Sequence, residues 1–123
     1  MVLDTNAILR YLINDIPEQA EIVEEILHYN KVYLPIEILA ETVYVLNSVY
    51  KINSTEIADN IFIFLQNNNI ISQNIDLIIF SLNIYKSTNL SFIDCLLCGY
   101  KKFISHEIFT FDKELIKYLK KIE

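Results

Sequence analysis

Four carboxylates stand out in this chain by their neighbours: Asp4, Glu41, Asp94 and Asp112. Asp4 ends a short apolar run, and Asp112 ends another around Phe109 and Phe111. Each is followed at once by a helical pattern, and Asp94 also sits where a helix is expected to open. Glu41 falls in a polar stripe with Glu37, Tyr44 and Ser48, at the three- and four-residue spacing of one helix face. Singly, each acid has a structural explanation. Asp4 and Asp112 suit N-caps, Ser91 and Asp94 loosely fit a capping box, and Glu41 suits a solvated face. Together they imply more. Carboxylates gathered in one cleft repel each other and need protons or cations to coexist. A donor set of oxygens without His or Cys selects a hard ion, Mg²⁺ or Mn²⁺.

The remaining candidate ligands point away from other metals. Cys95 and Cys98 form one C-x-x-C, and His28 and His106 stand at no zinc-finger spacing from them. Ordinary burial as small apolar residues is the expectation for both thiols. His106-Glu107 does not continue into H-E-x-x-H.

The elements that must position these acids can be read from periodicity. Residues 1–4 are expected as a strand, 5–13 as a helix, and 17–29 as a second helix opened by Pro17. A strand at 31–34, a helix from Pro35 to about Tyr50 and a helix capped by Ser54 should follow. A third strand is expected around Ile70-Ile71, then helices at 75–87 and 92–103. A fourth strand is expected at 107–111, and a final helix from Lys113. Strands alternating with helices imply an α/β fold around a parallel sheet. In such sheets chemistry collects at the carboxyl ends of strands, where Asp4 and Asp112 fall.

Composition narrows the class. A chain of 123 residues, 53% hydrophobic with one Gly and two Pro, suits one compact helix-rich domain over residues 1–123. Its apolar runs are too short to span a bilayer, and no basic-then-apolar leader opens it, so a soluble cytoplasmic protein is expected. The net charge of −6 is unusual for a nucleic-acid enzyme, although bound cations would offset part of it. No aromatic and basic pattern resembles a dedicated RNA-reading module.

The ordered motifs resemble a known family. Leu3-Asp4-Thr5-Asn6-Ala7-Ile8-Leu9-Arg10-Tyr11-Leu12 looks like the opening motif of PIN-domain proteins, particularly the VapC-type toxin ribonucleases of VapBC toxin–antitoxin systems. Leu39-Ala40-Glu41-Thr42-Val43-Tyr44-Val45-Leu46, Phe92-Ile93-Asp94-Cys95-Leu96-Leu97 and Phe109-Thr110-Phe111-Asp112-Lys113-Glu114-Leu115 resemble the three that follow. The resemblance implies a three-layer α/β/α fold with a mainly parallel, four- or five-stranded sheet. It implies an endoribonuclease in which Asp4, Glu41, Asp94 and Asp112 hold one or two Mg²⁺ or Mn²⁺ ions. Water would attack the phosphodiester in line, leaving a 5′-phosphate and a 3′-hydroxyl.

Thr5, Asn6 and Thr110 would orient ligands or water from behind. Arg10 is a candidate for substrate phosphate, with a surface ion pair as the alternative, and Lys101, Lys102 and Lys113 are candidates to line an RNA groove. A small antitoxin and a homodimeric state also follow from the resemblance. The alternatives are a PIN nuclease of RNA processing without an antitoxin and a catalytically silent scaffold for protein or RNA. A haloacid-dehalogenase-type phosphotransferase would want Asp two positions after Asp4, where Asn6 stands.

Overall fold

A computed structural model describes residues 1–122. The chain forms two compact units, Met1–Gln73 and Asn74–Glu123. In the first, the order is α1 (Thr5–Ile13), α2 (Pro17–Tyr29), β1 (Val32–Tyr33), α3 (Ile36–Ser48), α4 (Ser54–Leu65) and β2 (Ile70–Ile71). The second holds α5 (Ile75–Ser87), α6 (Phe92–Ile104) and α7 (Lys113–Leu119).

Local chemistry explains most of the boundaries. Pro17 opens α2, where its missing N–H is no loss. α1 ends on Asn14 in the left-handed region (φ 56°), and α6 ends likewise on Ser105 (φ 58°). The cap of α4 is Asn53, not Ser54: the Asn53 side chain accepts the Glu56 N–H at 2.9 Å, and Ser54 is the first helical residue. Both types cap well, and the amide oxygen of Asn53 is the one aligned with the orphan donor.

β1 is the centre of the sheet in the first unit. Its Val32 and Leu34 N–H groups donate to Asn69 and Ile71 carbonyls at 2.7 and 2.8 Å, while the Tyr33 N–H turns the other way to Met1 at 2.8 Å. β1 and β2 pair in parallel, with Val32 opposite Ile70 and Tyr33 opposite Ile71. The expected strand at residues 1–4 is reduced to one parallel bridge, Val2 to Tyr33, because the chain enters α1 directly after Asp4.

Residues 107–111 form no strand, contrary to the alternation in their sequence. Phe109 and Phe111 are 84% and 86% exposed, so pairing this segment would gain nothing from their burial as it stands. The described strands therefore number two, short of the four or five expected.

The first core is built on Leu27, Leu39, Val43, Ile57 and Ile61, the second on Leu77, Ile78, Cys95, Cys98 and Leu115. In the second unit α6 packs on α5 through Gly99, the only glycine in the chain. Among the described residues, no helix is long and apolar enough to cross a membrane.

Candidate metal centre

In the first unit, the acids at the start of α1 and in the middle of α3 are organised by a threonine. Asp4 caps α1, its Oδ1 accepting the Ala7 N–H at 2.8 Å while the side chain stays exposed. The next residue, Thr5, is buried and donates its hydroxyl hydrogen bond to Oε1 of Glu41, 36 positions along the chain. The rotation of α3 makes this possible. Leu39, Thr42, Val43 and Leu46 face inward, and the Thr42 hydroxyl donates to the Ile38 carbonyl at 2.8 Å. Glu37, Glu41 and Tyr44 are consequently turned outward. The solvated-face explanation of Glu41 holds for its helix face, but the carboxylate itself is anchored.

In the second unit, two further acids stand at helix starts. Asp94 is half-buried in the first turn of α6, and its N–H donates to Ser91 Oγ at 3.2 Å. This is one half of a capping box: among the described residues the Asp94 carboxylate accepts no hydrogen bond. Asp112 caps α7 by accepting the Leu115 N–H at 2.9 Å, and its own N–H donates to Thr110 Oγ1 at 3.0 Å. Thr110 thus fixes the backbone on which Asp112 stands.

The cations foreseen for substrate divide into two groups. Arg10 Nη1 lies 3.1 Å from both carboxylate oxygens of Asp15. A hydrogen bond with Tyr50, and then Asp15, raise its pKa further. The ion-pair alternative is the one observed. Lys101 Nζ donates to the Leu119 carbonyl at 2.7 Å, closing the C-terminal end of α7. Lys102 and Lys113 are exposed, as is Asn6, which lines a cavity of about 370 Å³ with Ala7, Arg10 and Gln19.

The oxygen donors of these acids are the kind that suits a hard cation. Asp4 and Asp112 each keep an oxygen beyond the one used in capping, and Asp94 keeps both. Within neither unit, among the described residues, do three His, Cys, Asp or Glu side chains already stand as one group.

The thiols are fully buried, with burial first and Cys98 second pushing the Cys95 thiol up to about 12; burial also raises Cys98. Both cysteines are free, and burial as apolar residues is their role. Iodoacetamide should therefore label neither in the folded chain and both in urea, as read by mass; rapid labelling under native conditions would contradict the packing. The unfolded chain ionises above about pH 8.5, while folded Cys95 stays protonated to about 12. Stability is thus lost as pH rises across that window.

With the geometry in place, family comparison gives a definite answer: the model of the PIN domain family matches residues 1–121. The chain belongs to the PIN domain family, whose members share an α/β fold and are generally metal-dependent nucleases. No curated protein and no solved structure matches it significantly.

Proposed function

We propose that this protein is a Mg²⁺- or Mn²⁺-dependent endoribonuclease whose cation ligands are Asp4, Glu41, Asp94 and Asp112. The observation that supports this best is the Thr5–Glu41 hydrogen bond, which ties the residue after one acid to another far along a PIN-family chain. Neither capping nor solvation requires that bond.

Each residue has a definable task. Asp4 and Asp112 use one oxygen to hold a helix N-terminus and offer the other outward. Thr5 holds Glu41 in one orientation. Asp94 presents both oxygens from the first turn of α6. The bound cation would lower the pKa of the attacking water and stabilise charge on the leaving oxygen. Thr110 keeps Asp112 in place through its backbone.

The biological side of the proposal is the toxin of a type II toxin–antitoxin pair, acting in the cytoplasm as a homodimer with a small antitoxin as partner. Its support is the likeness of the four motifs to the VapC-type nucleases.

Purified protein in Mn²⁺ or Mg²⁺ should cut single-stranded RNA, leaving 5′-phosphate and 3′-hydroxyl ends. EDTA should stop the reaction and added metal should restore it. Cleavage indifferent to EDTA, or none with either ion, would overturn the proposal.

A further inference from the structure

We infer that Phe109 and Phe111 form a stacking platform for unpaired bases of single-stranded RNA, beside Asp112. The inference rests on the nuclease reading above and names the form of substrate that site takes.

The two rings are the most exposed large hydrophobic side chains described in the chain, at 84% and 86%. They flank Thr110, and the contact between their rings puts both on one side. Ile108 and Thr110, on the other side, are half-buried. The segment is anchored at its end, where the Asp112 N–H meets Thr110 Oγ1 at 3.0 Å and Asp112 caps α7. The rings meet edge to face, with centroids 5.1 Å apart and planes at 83°. Each therefore keeps at least one face open for a base. Phe111 immediately precedes Asp112 in the chain, so the rings are carried by the segment that leads into a proposed cation ligand.

Charge distribution favours RNA over a protein or a second copy as the occupant. Residues 1–73 carry ten acids and three bases; residues 74–123 carry six acids and seven lysines. Six of those lysines, at 101, 102, 113, 117, 120 and 121, fall within twenty-one residues of sequence that include the rings; Lys101 is held by the Leu119 carbonyl and Lys121 lies over Tyr118, while Lys102, Lys113, Lys117 and Lys120 are exposed. Exposed aromatics within a cationic stretch are what sequence-tolerant binding of single strands requires: rings for the bases and ammonium groups for the phosphates. Paired bases offer no face to a ring, so a duplex cannot use the platform.

The test is steady-state cleavage of a fluorescein-labelled single-stranded RNA in Mn²⁺ by wild type, Phe109→Ala, Phe111→Ala and Phe111→Trp. Each alanine should raise KM about tenfold and leave kcat within about twofold. The exposed rings make no core contact, so thermal unfolding should not move. Phe111→Trp should keep the wild-type KM. Because the chain has no other Trp, its emission should be quenched as the same oligonucleotide is added. Unchanged KM in the alanine variants overturns the platform while leaving the nuclease reading intact. Loss of a dimer at sedimentation equilibrium in the alanine variants also overturns it, making the rings a self-association contact. Quenching in Phe111→Trp without cleavage by wild type supports the platform and sinks the nuclease reading.

Discussion

Asp94→Asn should cut RNA more slowly by about 10²–10³-fold, the scale of losing one electrostatic contact to the transition state, while the protein stays folded. The replacement keeps the shape of the side chain and removes its charge. Ser91 caps α6 through the Asp94 backbone N–H, so that bond survives. The carboxylate accepts no hydrogen bond among the described residues, and nothing structural is lost with it. What remains is the attraction between a negative charge and the start of a helix, about 0.3–1 kcal/mol, or a few degrees in Tm. Initial rates in saturating Mn²⁺, set beside thermal unfolding, separate the two effects. A variant that cuts as fast as wild type would remove Asp94 from the ligand set.

The largest expected effect on stability comes from Gly99→Ala. A Cβ built at Gly99 lies 2.6 Å from Ser81 Oγ and 2.9 and 3.0 Å from Leu77 Cγ and Cδ2. Neither neighbour moves easily. Leu77 and Ser81 are fully buried, and the Ser81 hydroxyl donates to the Leu77 carbonyl at 2.8 Å. Ala is the better helix former by about 1 kcal/mol, while overpacking costs about 1–3 kcal/mol. The difference is a net loss of about 0–2 kcal/mol. Ser81→Ala removes the closest atom, and its hydroxyl bonds only within its own helix. Gly99→Ala combined with Ser81→Ala should therefore recover part of the loss, leaving the Leu77 overlap. Urea denaturation of the four proteins measures this coupling. A more stable Gly99→Ala would mean that α5 and α6 do not approach this closely.

The sequence was most legible where one residue decides the local structure. Asp4, Pro17 and Asp112 start helices as their types require, and Ile75–Ser87 runs over the residues its apolar periodicity marks. Adjacent candidates were harder: Asn53 and Ser54 both suit a cap, and only geometry chooses between them. The segment 107–111 failed for another reason. Its alternation is that of a strand, but a strand needs a neighbour, and local pattern cannot supply one. The motifs indicated Thr5 as a positioning residue, yet no local rule connects it to Glu41 across 36 positions. The exposure of Phe109 and Phe111 was equally hidden, since large apolar residues are ordinarily read as core.

With a single glycine to place, the chain puts it inside a helix. Three left-handed positions, the usual homes of glycine, are filled instead by Asn14, Lys51 and Ser105. The two kinds of position tolerate side chains differently. A left-handed residue carries a local penalty of about 1–2 kcal/mol, which a stable fold absorbs without moving anything else. At residue 99 the penalty grows with every atom added, because each one displaces a whole helix. Mutational tolerance should therefore be graded by size at Gly99 and nearly flat at the three turns.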